Sequence, residues 1–274
     1  MAPNRHRPWI RISLSIVATA IALLTAAVAS PQPPSPTLFQ AVAGDGDPSA
    51  SEISTVEMKS VLAAGSAVVF DARPAMEFAM GHVPGARNVA ARPGLPMSAY
   101  VSDVAEIGRA LAGDKSRAII LYCNGPFCGK SRRLAAELRT AGYSNVRRYQ
   151  LGMPVWRALG EPAQIEPEGL RRVLAEDRTA YVIDAREAGA FAGGSLPGAR
   201  NIPRSGVLDG KDVGALKDAK NDGRLPMEDH NTRVIVIAGG AAEARYVAEH
   251  IAREAFSNVA FFGGTFEEAL ALAK

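Results

Sequence analysis

The sequence predicts an α/β chain: two doubly wound, parallel-sheet domains in tandem, preceded by an N-terminal signal peptide. Three observations carry this. The first is an internal repeat, in which VVFDARPAMEFAMGHVPGARNV (Val68 to Val89) aligns without a gap on YVIDAREAGAFAGGSLPGARNI (Tyr181 to Ile202). Asp71 falls on Asp184, Arg73 on Arg186, Pro84 on Pro197 and Asn88 on Asn201, an offset of 113 (184 − 71), and AGYSNV (Ala141 to Val146) meets EAFSNV (Glu254 to Val259) at the same offset. A period of that length is a whole domain, not a solenoid turn. The second observation is alternation of apolar strands with amphipathic helices inside each copy. The third is a basic front, Arg5, Arg7 and Arg11, before an uncharged apolar run from Ile12 to Ala29.

That leader reads as an export signal over residues 1–29. Ala27-Val28-Ala29 is a small-x-small cleavage pattern ahead of Pro-rich PQPPSP, so cleavage is expected after Ala29. The alternative is an uncleaved membrane anchor facing outside the cytoplasm, since the run is just long enough to cross a hydrocarbon layer of about 30 Å. Either reading places the body outside the cytoplasm, in a bacterial periplasm or an equivalent oxidising compartment. Residues 30–51, rich in Pro, Ser, Gly, Asp and Ala, read as a flexible linker. Domain 1 then spans 52–162 and domain 2 spans 163–274, with the boundary at EPAQIEPEG (Glu161 to Gly169).

Composition sets outer bounds. With 47% apolar and 22% charged residues in 274, the chain is neither disordered, collagenous nor a disulfide-stapled miniprotein. The net charge of +3 comes from 31 Lys and Arg against 28 Asp and Glu; without the three leader arginines the count is 28 against 28. A nucleic-acid partner therefore has no electrostatic basis, and a membrane is a partner only if the leader stays uncleaved. Two cysteines, and four histidines without paired spacing, predict no metal site and no cofactor.

Within domain 1, AVVFDA (Ala67 to Ala72) and AIILY (Ala118 to Tyr122) are short apolar runs without polar alternation, as parallel strands covered on both faces require. Ser131 to Ala141 places Leu134, Ala135, Leu138 and Ala141 on one face and has Gly142 as its stop, which predicts an amphipathic helix laid on the sheet. In such folds ligands collect beyond the carboxyl ends of the strands.

Between that strand and that helix lies CNGPFCGKS. Cys123 stands at the strand end, and Asn124, Gly125, Pro126, Phe127, Cys128, Gly129 and Lys130 turn into the helix N-terminus. Gly125, Pro126 and Gly129 permit a tight ring of inward-pointing backbone N–H groups, which together with the helix dipole stabilises an anion. Cys123 is accordingly the candidate nucleophile, a thiolate with its pKa below the free value of about 8.5, and the loop residues are candidates for binding the substrate. A nucleotide P-loop is excluded because Gly125 sits one place too late, and a cysteine phosphatase because Gly129 stands where an Arg must clamp phosphate. Lys130 is the candidate for steering an anionic donor.

The ordered set DxR (Asp71, Arg73), ExxxGHxPGAxN (Glu77, Gly81, His82, Pro84, Gly85, Ala86, Asn88), a cysteine at a strand end, and GxxxW (Gly152, Trp156) closely resembles the rhodanese domain, over about residues 52 to 274. The resemblance implies a sulfurtransferase in which Cys123 takes a sulfane sulfur from thiosulfate or a persulfide donor, holds it as a persulfide, and gives it to a thiol or cyanide acceptor. The second copy lacks this equipment. Ala238 replaces the cysteine, the loop is two residues shorter, and Glu77, His82 and Trp156 are answered by Ala190, Ser195 and Glu268. Tandem members resemble a pair with the inactive copy first, so the order here departs from that pattern.

Several of these residues also have structural readings. Asp71 and Arg73, retained in the copy without a nucleophile, read as a hydrogen-bonded pair; His82 reads as an organiser of backbone, and Trp156 as a core anchor. Cys128 reads either as a small loop residue or as a thiol that resolves oxidised Cys123, the dithiol redox alternative. A non-catalytic sulfur-carrier or partner-binding module is the remaining alternative.

Overall fold

A computed structural model describes residues 52–91 and 102–274; the signal peptide read over 1–29 and the linker read over 30–51 lie outside the described residues. Four parallel strands form the first sheet: β1 (Val68–Asp71), β2 (Arg87–Asn88), β3 (Ile119–Tyr122) and β4 (Val146–Tyr149), in the order β2-β1-β3-β4. The second sheet has β5 (Ala163–Ile165), β6 (Tyr181–Asp184), β7 (Arg200–Asn201), β8 (Val234–Ile237) and β9 (Val259–Phe262), in the order β5-β9-β8-β6-β7, again all parallel. The place that β5 holds beside β9 is reduced in the first copy to one parallel bridge, Glu52 to Arg148 on β4.

Period-2 alternation divides each sheet's side chains between two apolar layers. In the first sheet Phe70, Ile119 and Leu121 face one way, against Ile107 of α3 (Asp103–Ala110) and Leu134, Ala135 and Leu138 of α4 (Gly129–Thr140). Val69, Ile120 and Tyr122 face the other way, into a core that also takes Val182, Ile235, Ile237, Ala260 and Phe262 of the second sheet. The two domains therefore share one buried layer, filled by α1 (Thr55–Ala64), α5 (Gly152–Ala158), α6 (Pro167–Glu176) and α10 (Phe266–Leu272). The outer face of the second sheet packs on α8 (Gly214–Asn221) and α9 (Ala241–Arg253). Short helices α2 (Ala75–Ala79) and α7 (Ala188–Ala192) come after β1 and β6 at equivalent positions.

Local signals fix the helix ends. Ser54 and Ser102 accept from Glu57 N–H and Ala105 N–H as N-caps, and Thr265 with Glu268 forms a capping box on α10. Glu268 is thus a cap rather than the counterpart of Trp156; the constant offset carries Trp156 to Ala269, which is buried in the shared layer. Helix α4 begins at Gly129, two residues before the predicted Ser131, because the extended backbone of Cys128 serves as its N-cap. Among the described residues no helix is long and apolar enough to cross a membrane.

The domains are also joined through backbone. His82 N–H donates to the Gln164 carbonyl at 3.0 Å, Gln164 N–H donates to the His82 carbonyl at 2.8 Å, and Glu166 N–H donates to the Ala79 carbonyl at 2.9 Å. Gly169 of α6 lies so close to α2 that a Cβ there would overlap the Ala79 carbonyl oxygen. The His82 ring is buried, stacks on Phe78 at a centroid distance of 3.8 Å, and shares Nδ1 with the Phe78 carbonyl at 3.1 Å. Its Nε2 lies 3.4 Å from Glu166 Oε1.

Burial lowers the His82 pKa from its ordinary 6.5 to about 4, against the raising effects of the Phe78 carbonyl and Asp71. At neutral pH the imidazole is therefore uncharged, and its contact with Glu166 is not an ion pair. The unfolded chain takes up this proton near pH 6.5 and the folded chain only near pH 4. Stability from the neutral imidazole is hence complete above about 6.5 and lost as pH falls toward about 4, on the order of 3 kcal/mol. Urea unfolding across that window should show a steeper loss of stability in the wild type than in His82→Gln, and superimposable pH profiles for the two chains would refute this account.

Candidate active site

The site grows from the carboxyl end of β3, a strand buried at every residue. Cys123 comes next and is itself only 4% exposed. The chain turns through Asn124, Gly125, Pro126 and Phe127, and the Cys128 N–H donates to the Gly125 carbonyl at 3.0 Å before α4 begins. Gly125 has φ 107°, in the region that favours glycine. One amide of the expected ring, that of Cys128, is thus engaged in the turn. The loop is also held from outside: the Met153 N–H donates to the Cys123 carbonyl at 3.2 Å, and Gly152, at φ 62°, approaches so closely that a Cβ would overlap that same carbonyl oxygen.

Cys123 and Cys128 are joined by a disulfide, with their Cα atoms 6.2 Å apart. The sequence predicts a thiolate at Cys123; in this oxidised form neither sulfur titrates, so that expectation applies to the reduced chain. Closing the ring is physically simple, because a five-residue step through a glycine turn brings the strand end back over the helix N-cap. Cys123 is buried, whereas Cys128 is partly exposed.

The other predicted residues spread around this ring. Asn124 is exposed and donates through Nδ2 to Glu77 Oε2 at 2.7 Å. Pro126, Phe127 and Gly129 face solvent, Phe127 completely. Lys130, in the first turn of α4, pairs with Asp103 of α3 at 3.8 Å; burial pushes the Asp103 carboxyl up, and Lys130 opposes this. In the second copy a connector of Ala238, Gly239 and Gly240 joins β8 to α9, and the Gly239 N–H donates to Glu243 Oε2 at 3.0 Å. Glu243 stands 113 positions after Lys130 (243 − 130). One copy therefore fills this corner with its own carboxylate, whereas in the other the aligned Lys130 pairs with Asp103.

Asp71 and Arg73 form the expected pair. Arg73 Nη2 donates to Asp71 Oδ2 at 2.6 Å and to the Gly81 carbonyl at 2.8 Å, while Asn88 Nδ2 donates to the Asp71 and Arg73 carbonyls. Asp184, Arg186, Gly194 and Asn201 repeat every one of these bonds. Trp156 is buried, its Nε1 donating to the Pro162 carbonyl at 3.0 Å.

One group was not foreseen. Arg157 of α5 lines a cavity of about 510 Å³ together with Arg73, Glu77, Asn124 and, from the second domain, Arg233 and Asn258. Arg73 is paired with Asp71 and Arg233 with Asp177, but Arg157 Nε is sealed from solvent without an acceptor among the described residues. Burial, then the charges of Arg73 and Arg233, push the Arg157 guanidinium down to about 10. Nothing in the sequence separates this arginine from the surface ones, since it is the fold that brings the three together. Among the described residues no three His, Cys, Asp or Glu side chains gather as metal ligands would.

The Gly152 contact has a measurable consequence. Gly85, at φ 82°, has open space where a Cβ would go, so Gly85→Ala should cost only the left-handed conformational penalty of about 1–2 kcal/mol. Gly152→Ala should cost clearly more, because its Cβ must displace the Cys123 backbone. Equal losses for the two variants in urea unfolding would show that α5 does not brace the loop.

Comparison with known proteins agrees with this architecture. Residues 54–159 and 166–271 each match the Rhodanese-like domain. An HTH-type transcriptional regulator of Mycobacterium tuberculosis is 34% identical over 99 residues, which is 36% of this chain and 38% of the regulator, so the chain spans well under half the length of that curated relative. Among solved structures, a thiosulfate sulfurtransferase from Pseudomonas aeruginosa is 21% identical, with 78% of this chain and 43% of that one covered and a TM-score of 0.32. A 3-mercaptopyruvate sulfotransferase from Escherichia coli is 20% identical, with 78% and 98% covered and a TM-score of 0.34. With both repeats matched, the chain belongs to the rhodanese-like domain family and carries that domain twice in tandem.

Proposed function

We propose that the chain is a sulfurtransferase in which Cys123 carries a sulfane sulfur from an anionic donor such as thiosulfate, or from a persulfide, to a thiol or cyanide acceptor. The Cys123–Cys128 disulfide is the oxidised, capped form of that nucleophile. The observation that carries this reading is the placement of Cys123, at the end of a central parallel strand and one glycine turn before the N-terminus of a 12-residue helix. Helix N-termini lower thiol pKa values and hold anions. The carboxylate of Glu243 at the matching corner of the second copy supports the same property for the first.

The chemistry runs in two balanced steps. After a dithiol reduces the disulfide, the Cys123 thiolate attacks the outer sulfur of thiosulfate; the donor S–S bond breaks, and sulfite leaves with its electron pair. Cys123 then holds a persulfide, whose outer sulfur an acceptor thiolate or cyanide removes, restoring the thiolate. Arg157 and its neighbours line a cavity that Asn124, next to Cys123 in the chain, also borders, and they offer a place for the donor's negative charge. The second copy, with Ala238 in place of the cysteine, serves as a structural partner through the shared core. Export, as the leader implies, suits a bond that persists in oxidising surroundings.

Thiocyanate formation from thiosulfate and cyanide tests this. The chain pretreated with a dithiol should turn over, the oxidised chain should not, and Cys123→Ser should lose on the order of 10³-fold or more. Undiminished turnover in Cys123→Ser, or none in the reduced wild type, would remove the reading.

A further inference from the structure

The transfer steps leave Cys128 without a role, yet its sulfur is bonded to that of Cys123. A thiol able to make that bond is also placed to attack the inner sulfur of a persulfide on Cys123. The burial difference adds a direction: Cys123 is 4% exposed, whereas Cys128 sits partly exposed at the N-cap of α4, so a reductant meets Cys128 first.

We propose that Cys128 is a catalytic resolving thiol, so that, when no external acceptor takes the sulfur first, this domain releases hydrosulfide from its sulfur donor and ends the turnover in the disulfide present in the structure. This rests on the sulfur-transfer reading above. The Cys128 thiolate attacks the Cys123 sulfur of the persulfide; a Cys123–Cys128 bond forms, the persulfide S–S bond breaks, and hydrosulfide leaves with the electron pair. With thiosulfate as donor, two protein thiols and one thiosulfate give one disulfide, one hydrosulfide and one hydrogen sulfite. Two electrons pass from the cysteines to the sulfane sulfur. A dithiol reductant, small or protein-borne, restores the pair: its first thiolate attacks Cys128 and expels Cys123, and its second thiol resolves the mixed disulfide and closes its own.

Single-turnover chemistry on the full chain separates the possibilities. Wild type, reduced and freed of reductant, is mixed with thiosulfate; sulfide, sulfite and intact mass are then measured. Sulfide and sulfite should appear in equal amounts, and the chain should return to its oxidised mass. Cys128→Ser keeps a good N-cap residue, so α4 retains its start. It should release sulfite, retain one added sulfur on Cys123, and lose sulfide release until an external thiol is supplied. A wild type that stops at a stable persulfide, or a Cys128→Ser chain that yields as much sulfide, overturns the proposal. A chain that releases no sulfite fails the underlying transfer reading instead. Oxidised wild type treated with sodium hydrosulfide then still decides the role of Cys128 by the reverse step. Added sulfur located on Cys123 itself, by fragmenting the peptide that carries both cysteines, supports it, and its absence from Cys123 overturns it.

Discussion

At the end of β1 a carboxylate with no exposed surface must be held without water, and its partner is two residues away. Asp71 is fully buried and Arg73 nearly so. Leaving either alone in that position would be severely destabilising, so the guanidinium folds back onto both carboxylate oxygens. The remaining donor capacity of Arg73 is met by the Gly81 carbonyl, and the turn from β1 through α2 is thereby tied down. The backbone beyond Gly81 takes its course from this clasp. His82 is carried to its paired hydrogen bonds with Gln164, and Gly81 itself lies against the Arg157 guanidinium. The same clasp in the second copy explains why Asp184 and Arg186 persist where the cysteine does not: they hold a turn, and the turn is needed in both domains.

On this common scaffold the two copies differ at one corner. β3 and β8 occupy matching places in their sheets, but one leads into a loop containing both cysteines and the other into a three-residue glycine connector. Glu243 accepts from the Gly239 N–H at the second corner, whereas Lys130, at the same offset in the first copy, pairs with Asp103. Under the proposed function, activity is decided by a few side chains and a loop length, while the sheets serve to place them. The degenerate copy contributes half of the shared apolar layer and brings Arg233 and Asn258 to the cavity beside Asn124. It is part of the site's surroundings even though it carries no reacting group.

Much of this organisation was legible in the residues themselves. The 113-residue offset marks the two copies because the same turn chemistry is needed twice, and the uninterrupted apolar runs of β1 and β3 mark strands that must be covered on both faces. Less legible was the start of α4, since amphipathic periodicity sees Leu134 and Leu138 but not the N-cap geometry of Cys128. Gly152 had a signal in the GxxxW spacing, although its purpose, a close approach to the Cys123 carbonyl, belongs to the packing of α5.

By itself, then, the sequence determined the fold class, the duplication, the hydrogen-bonded Asp–Arg pairs and the place of Cys123 at a strand end, because each depends on neighbours close along the chain or on a repeat that the residues reveal. Only the tertiary structure decided how the domains meet, through one continuous core and the His82–Gln164 pairing, and that Arg157, beside the cavity, is sealed in without an acceptor for its Nε among the described residues. It also decided that the two sulfurs lie in bonding contact. These are relations between atoms far apart in the chain or aimed by local turns, and they exist only once the backbone has closed around them.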